Sequence, residues 1–187
     1  MSQCKQRKIT LFGFRGVGKT AITLRFVQDV FGENYEPTIE NNFSKKLKFN
    51  GENYELEIID TPGQDEYTAL SQNLILNTDG CIFVYTISSK NSFNMLNILR
   101  DKIIEKSGVT PMVLVGNKSD LEESRQVSIQ EGQNLANSWK CPFFECSAKE
   151  NQNISQTFFS TLEQIELSIN PNFRITQEKK GGTCQLI

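Results

Sequence analysis

Residues 13–20 of the chain read GFRGVGKT: a glycine, four further residues, and then Gly18-Lys19-Thr20. This spacing is the Walker A pattern of a phosphate-binding loop. Glycines allow successive backbone N–H groups to curve around an anion, because no Cβ blocks the dihedral angles or the close approach. We expect Lys19 to contact the outer phosphates and the Thr20 hydroxyl to bind Mg²⁺, which prefers oxygen ligands. The loop therefore predicts binding of a nucleoside triphosphate.

The flanking sequence places this loop between a strand and a helix. A short apolar run leads into it, and residues 20–27 (TAITLRFV) have the pattern of a helix whose N-terminus would face the phosphates. The alternative is a glycine-rich turn that binds no ligand. A strand before the loop and a helix after it argue against that alternative.

Composition limits the remaining possibilities. With 187 residues the chain is long enough for one domain with a substantial core. A net charge of −2 argues against a nucleic-acid-binding protein, and the lack of histidine excludes imidazole chemistry. The five cysteines are odd in number and show no C-x-x-C spacing, so they indicate reduced thiols of a cytosolic chain. No apolar run approaches the roughly 18 residues that cross a membrane.

Strand-like and helix-like segments alternate along the chain. Residues 43–49 and 54–58 alternate apolar with polar side chains around an Asn-Gly pair, which predicts an antiparallel hairpin. Residues 81–87 (CIFVYTI) and 112–115 (MVLV) are continuous apolar runs, typical of parallel strands buried on both faces. We therefore predict a three-layer α/β domain.

The second half of the chain carries clear helix signals. Ser128 and Glu131 have the spacing of a capping box, and apolar residues recur at helical spacing over 154–169. Pro171 should end that last helix, and the polar segment after it contains a Gly-Gly pair. We expect residues 171–187 to form a flexible tail.

In such sheets the ligand binds where the loops converge, at the C-terminal ends of the strands. Residues 60–64 (DTPGQ) follow an apolar strand. We expect Asp60 to hold Mg²⁺ through water, the Gly63 N–H to reach a terminal phosphate, and Gln64 to orient an attacking water. Thr38, before the second strand, offers a second hydroxyl to Mg²⁺.

Two later loops carry groups suited to a purine base. Residues 117–120 (NKSD) follow the MVLV strand. The Asp120 carboxylate would accept from the N1–H and the exocyclic amine of guanine, whereas adenine presents an acceptor at N1. Residues 147–149 (SAK) would donate a backbone N–H to the guanine carbonyl. Asn-x-x-Asp alone is more often a simple turn, but a whole series of such motifs at strand ends predicts a guanine-nucleotide site.

Together, GFRGVGKT, PTIE, DTPGQ, NKSD and ECSAK resemble the Ras superfamily of small GTPases. The resemblance covers residues 8 to about 169. It extends to the Rheb group within that superfamily through Arg15, through Asn41 where Ras has an aspartate, and through QDEY at 64–67 and SAKENQ at 147–152.

The resemblance implies the P-loop GTPase fold over residues 1–170, with a six-stranded, mostly parallel sheet, one antiparallel edge strand and five flanking helices. It also implies two switch regions, at about 32–41 and 60–74, which GTP orders and hydrolysis releases. Residues 35–41 would contact an effector kinase, which for the Rheb group is TOR. A GTPase-activating protein and a possible exchange factor are further implied partners of a monomeric chain.

The same resemblance implies the residues of the site. Nucleotide contacts would come from Gly13, Arg15, Gly16, Val17, Gly18, Lys19, Thr20, Ala21, Phe31, Gly32, Tyr35, Thr38, Gly63, Asn117, Lys118, Asp120, Ser147, Ala148 and Lys149. Phe31 would pack edge-on against the guanine, and Tyr35 would close over the phosphates. Mg²⁺ would be held by Thr20, Thr38 and, through water, Asp60. Hydrolysis would depend on Gln64 and Lys19, with Arg15 as a modulator.

Two departures from these families concern the rate of hydrolysis. Ras-type loops mostly have glycine where Arg15 stands, and Rheb loops follow their arginine with serine where this chain has Gly16. Pro62 replaces the usual alanine and should stiffen the second switch, because proline fixes φ and lacks an N–H. The Arg15 side chain either obstructs Gln64 and slows hydrolysis or acts as a built-in arginine finger. Because this position projects outward from the loop, we favour obstruction.

The last four residues, Cys184-Gln185-Leu186-Ile187, fit the C-a-a-X prenylation signal. The alternative is a chance cysteine four residues from the end, and the polar Gln185 stands where an aliphatic residue is usual. One lipid gives marginal, reversible anchoring. We therefore expect a prenyltransferase to modify Cys184, and the chain to exchange between the cytosol and the cytosolic face of internal membranes.

Two functional classes remain open. The first is a slow GTPase switch whose hydrolysis is the off step. The second is a binding module that is nearly always GTP-bound and is controlled by its abundance or location. Gln64 and Thr38 favour the first class. Asp120 argues against a third class, the ATP-dependent P-loop kinases and ATPases.

Overall fold

The computed structural model describes residues 4–32, 38–65 and 72–175. Within them the elements are, in chain order, β1 (Lys5–Phe12), α1 (Lys19–Gln28), β2 (Asn41–Phe49), β3 (Glu52–Asp60), α2 (Gln72–Leu76), β4 (Gly80–Thr86), α3 (Lys90–Ser107), β5 (Met112–Asn117), a 3₁₀ turn (Glu122–Ser124), α4 (Ile129–Trp139), β6 (Phe143–Glu145) and α5 (Ile154–Ile169).

The strands form one sheet in the order β2-β3-β1-β4-β5-β6. Neighbouring strands are parallel except for β2 and β3. Their hairpin turns at Asn50 and Gly51, with φ of 51° and 81°, because a tight turn that follows the twist of the strands needs positive φ. The six-stranded sheet with one antiparallel edge strand and the five α-helices of the described residues confirm the predicted architecture.

Side-chain alternation along the strands divides the core into two layers. In β1, Ile9 and Leu11 face one apolar cluster, whereas Phe12 faces the other. The first cluster is covered by α1 and α5, where Phe26 and Phe158 stack with ring centroids 3.9 Å apart. The second is covered by α2, α3 and α4. The sheet therefore lies between two helical layers, as the continuous apolar runs of its central strands predict.

The topology brings the loops with chemical motifs to one edge of the sheet. The parallel strands β1, β3, β4, β5 and β6 all end at this edge. Because β2 runs the other way, its first residue, Asn41, pairs with Asp60 at the end of β3. Thr38 therefore lies at the same edge as the phosphate-binding loop.

The chain leaves the last helix next to the β2–β3 turn. Phe173 stacks on Phe49 with ring centroids 6.3 Å apart, and Asn50 Nδ2 donates to Arg174 O at 3.0 Å. The first residues of the predicted tail thus pack on the domain. Residues 176–187, with Cys184, lie outside the described residues, so their flexibility stays a prediction. No helix in the described part of the chain is both long enough and apolar enough to span a membrane.

A capping box begins α4, and an ion pair joins it to the start of α3. Ser128 N donates to Glu131 Oε2 at 2.9 Å, and Glu131 N donates to Ser128 Oγ at 3.2 Å, as the sequence predicts. Lys90 Nζ forms an ion pair with the same carboxylate. The hydrogen bond from Lys90, supported by those from Ser128, lowers the pKa of Glu131 to about 2.

Replacing Glu131 with glutamine should lower the urea midpoint at neutral pH, and the deficit should shrink as the pH falls from 4.5 to about 2. The unfolded chain takes up the proton first, because its pKa is the higher one, so the stabilisation is lost over this interval. Urea titrations at neutral and acidic pH measure the difference. Glu105→Gln removes another exposed acid and serves as the control. A deficit that does not change with pH would contradict the assignment.

Candidate nucleotide-binding site

Lys19 begins α1 and lies beneath the loop at 13–18. Its Nζ donates to Gly13 O at 2.8 Å and to Phe14 O at 3.2 Å. Burial lowers the pKa of this ammonium to about 8, although the Asp60 carboxylate acts in the opposite direction. In the described structure no side chain caps α1, and its first turn holds no acidic residue. A buried cation and free helix N–H groups together suit an anionic ligand.

Asn117, at the end of β5, holds the loop from below. Its Nδ2 donates to Val17 O at 2.8 Å, and its Oδ1 lies 3.4 Å from Ala148 N. A Cβ on Gly18 would lie 2.3 Å from Asn117 Nδ2, and Gly18 also has a φ of 95°. Glycine is therefore required at this position both by the backbone conformation and by the approach of the amide.

Two hydroxyls and a carboxylate meet beside the loop. Thr20 Oγ1 donates to Asp60 Oδ2 at 2.6 Å and lies 2.8 Å from Thr38 Oγ1. The single Thr20 proton is used by Asp60, so Thr38 is the donor to Thr20. Asp60 Oδ1 is buried without a hydrogen-bond partner in the described structure, and burial raises the pKa of this carboxyl group. These hard oxygen atoms, one of them unpaired, suit a divalent cation such as Mg²⁺.

The base side of the site is built from the loops after β5 and β6. Ser147 Oγ donates to Asp120 Oδ1 at 2.6 Å and accepts from Glu150 N at 3.1 Å. Ser119 N donates to Cys146 O at 3.0 Å. These bonds hold the Asp120 carboxylate in one orientation, as selective hydrogen bonding to a purine edge requires.

Gln64 points into the protein. Its Oε1 accepts from Gly13 N at 2.8 Å, its Nε2 donates to Thr61 Oγ1 at 2.5 Å, and its backbone N–H donates to Gly13 O at 3.1 Å. Only 1% of the residue is exposed. Thr61 Oγ1 in turn donates to Leu11 O at 2.6 Å. The amide is thus held by the end of β1 and by Thr61.

About half of the predicted site residues that the structure describes line one cavity, whereas the base-side residues Asn117, Asp120, Ser147, Ala148 and Lys149 are not among its lining residues. It is lined by Arg15, Gly16, Gly18, Lys19, Thr20, Ala21, Leu24, Phe31, Gly32, Thr38, Thr61, Gly63 and Lys118. Val17 is buried below the loop, and Lys149 is exposed beside the base-side loops. Tyr35 lies outside the described residues, as does much of both predicted switch regions.

A sequence model of the Ras family matches residues 8–167. The chain belongs to the Ras family. GTP-binding protein rhb1 of Schizosaccharomyces pombe is 45% identical over 174 residues, which are 92% of this chain and 94% of that protein. GTP-binding protein Rheb of Homo sapiens is 43% identical over 168 residues, 89% of this chain and 91% of that protein. Small monomeric GTPase RhbA of Aspergillus fumigatus is 45% identical over 186 residues, 98% and 97% of the two chains.

Membership of the Ras family confirms the predicted guanine-nucleotide binding and GTP hydrolysis, the P-loop GTPase fold and the resemblance to Rheb. It also disfavours the ATP-dependent alternative. The roles assigned to individual side chains stay predictions.

In this Ras-family chain the Arg15 side chain points away from the core. The residue is exposed, and its guanidinium Cζ lies 5.5 Å from the centre of the Phe14 ring. Its backbone and its Cβ pack on Gly63, where an added Cβ would lie 2.4 Å from both Arg15 Cα and Arg15 Cβ. The sequence suggested that the Arg15 side chain obstructs Gln64. In the structure, Gln64 is held by Gly13 and Thr61, and Arg15 contacts Gly63 next to it, so the effect of Arg15 on hydrolysis stays a prediction.

The sequence did not single out Thr61 as a residue of the site. Its hydroxyl links β1 to the Gln64 amide, a contact between segments about fifty residues apart in the chain. No local pattern distinguishes such a threonine from any other, although its position between Asp60 and Gly63 places it within a predicted site motif.

Proposed function

We propose that this Ras-family GTPase is a slow, Mg²⁺-dependent switch of the Rheb type. The buried Gln64 amide is the observation that supports the slow rate. Orienting a water molecule toward the terminal phosphate would require this side chain to leave its partners Gly13 and Thr61. That reorganisation adds to the barrier of the off step, because catalytic groups act fastest when they already lie in place.

The nucleotide would lie along the cavity with its phosphates over the loop at 13–20. Lys19 would move from the carbonyls of Gly13 and Phe14 toward the outer phosphates. Thr20 and Thr38 would hold Mg²⁺ directly, and Asp60 through water; the bound cation would neutralise phosphate charge. Asp120 would accept hydrogen bonds from the guanine edge.

A second candidate is a binding module that is almost always GTP-bound. It is favoured by the same observation, since a permanently sequestered Gln64 would make intrinsic hydrolysis negligible. The hydrolysis rate separates the two candidates.

Location and partners follow the Rheb resemblance. We propose a lipid on Cys184, reversible attachment to the cytosolic face of internal membranes, and an effector surface at residues 35–41 that engages TOR kinase signalling. A GTPase-activating protein would supply a group that orients the attacking water, which the sequestered Gln64 does not do. An exchange factor would promote release of GDP so that GTP can bind again.

Nucleotide identity tests the central proposal. The purified chain should carry GDP or GTP, and turnover should stop when EDTA removes Mg²⁺. Asp120→Asn should weaken GTP binding about 100-fold and favour xanthosine triphosphate, because an amide donates where the carboxylate accepted two hydrogen bonds. Asp101→Asn, on α3, is the matched control. ATP binding as tight as GTP binding would refute the proposal.

Arg15→Gly should raise intrinsic hydrolysis about tenfold, because loss of the Cβ that packs on Gly63 loosens the segment that carries Gln64 and lets its amide reach the attacking water. Single-turnover phosphate release measures the rate. Thr61→Val, which keeps Arg15 and removes the hydroxyl partner of Gln64, shows whether the hydrogen bond or the arginine is the restraint. A slower Arg15→Gly variant would instead indicate that the guanidinium stabilises the transition state.

Cys184→Ser should move the full-length chain from the membrane to the soluble fraction, because the thiol is the proposed attachment point of the lipid. Fractionation of cells that express each form measures the distribution. Cys4→Ser removes an exposed cysteine distant in sequence and is the control. An unchanged membrane fraction in Cys184→Ser would rule out this anchor.

A further inference from the structure

Arg25, in the last turn of α1, contacts the loop on the base side of the cavity. Its Nε donates to Ala148 O at 2.9 Å, and its Nη2 donates to Lys149 O at 3.1 Å. Its Nη1 donates to Asp29 O at 3.1 Å. Asp29 Oδ1 in turn accepts from Asn151 Nδ2 at 3.1 Å. One guanidinium thus joins the end of the helix to the loop.

The same guanidinium also contacts an aromatic ring of the cavity lining. Arg25 Cζ lies 5.8 Å from the centre of the Phe31 ring, within the range of a cation–π contact. Phe31 lines the cavity, whereas Arg25 is not among the described residues that do. Arg25 therefore supports from behind both the cavity-lining Phe31 and the loop at 148–149.

On its inner side, the loop at 147–149 forms a weaker hydrogen bond than those from Arg25. Ala148 N lies 3.4 Å from Asn117 Oδ1, a long hydrogen bond. The bonds from Arg25 to the carbonyls of Ala148 and Lys149 are shorter and come from a charged donor, which makes them stronger. The backbone bonds between Ser147 and Gln152 close the loop at its base, and the bonds from Arg25 fix the carbonyl groups of Ala148 and Lys149 within it.

We propose that Arg25 is a positioning residue that sets the lifetime of the bound guanine nucleotide. This inference rests on the proposed site. A base held by residues 147–149 leaves when that loop swings outward, and the bonds to Arg25 must break for it to do so. Weakening these bonds raises the population of the open loop, and the nucleotide dissociates faster.

The chemistry of the side chain predicts a graded series. Arginine reaches several carbonyl groups at once with a planar set of donors. Lysine keeps the charge but concentrates its donors on one atom, and glutamine donates through one neutral amide. Dissociation should therefore be slowest with arginine, faster with lysine and fastest with glutamine.

Release of a fluorescent GDP analogue into excess GDP tests this order in the full-length protein. Arg25→Gln should release it about tenfold faster, a change of ~1.4 kcal/mol, and Arg25→Lys should fall between the two. Arg100→Gln is the matched control: Arg100 is likewise partly buried, and its Cζ lies 5.2 Å from the centre of the Trp139 ring on another face. The control should release the analogue at the native rate.

Two further readouts separate positioning from general destabilisation. The association rate of Arg25→Gln should stay close to native, because the change acts on opening of the occupied site. The ratio of release rates should also persist in EDTA, because the bonds of Arg25 are distinct from those among Thr20, Thr38 and Asp60.

Native release rates in Arg25→Gln, or equal acceleration in Arg100→Gln, would overturn the inference while leaving the proposed function intact. If Arg25→Gln does not fold, Arg25→Lys serves as the test variant. A native rate of nucleotide release in Arg25→Lys would then overturn the inference as well. A native chain that releases guanine and adenine nucleotides equally fast would overturn the proposed function itself.

Discussion

One side chain amide, that of Asn117, connects the two halves of the site. It donates to Val17 in the phosphate-binding loop, while its oxygen lies 3.4 Å from both Cys146 Sγ and Ala148 N in the loop after β6. The amide is buried at the end of a central strand, where unsatisfied polar groups are costly. Phosphate and base recognition are therefore parts of one hydrogen-bonded unit, and the requirement for glycine at position 18 follows from it.

Sequence predicted those features whose geometry is encoded within a few residues. The strand–loop–helix unit around residues 13–20, the Asn-Gly hairpin and the capping box at Ser128 all belong to this class, whereas the guanine-selecting role of Asp120 stays a prediction. The inward orientation of Gln64 was not predictable in the same way, because its partners are a backbone N–H and a threonine hydroxyl brought together by packing. The contacts of Arg25 were not predictable for a similar reason, because its acceptors are backbone carbonyl oxygens, which every residue has.

The two proposed restraints would act on different steps of one cycle. Bonds to Gly13 and Thr61 hold Gln64 and would oppose cleavage of GTP, whereas the bonds from Arg25 would oppose departure of the nucleotide. Both rely on few hydrogen bonds between side chains and the rest of the fold. Such bonds are individually modest, so a partner protein that competes for one donor or acceptor can change a rate severalfold without unfolding the domain.

The packing of Phe173 on Phe49 has a consequence for how the molecule is oriented when its tail is attached to a surface. The contact places the start of the tail beside the β2–β3 turn, at the far end of β3 from Asp60. Nine residues of strand separate these points, roughly 27 Å at the usual rise per residue. A lipid anchor would therefore be tethered to the end of the domain remote from its nucleotide site, and the edge that carries the switch regions would stay accessible to large partner proteins.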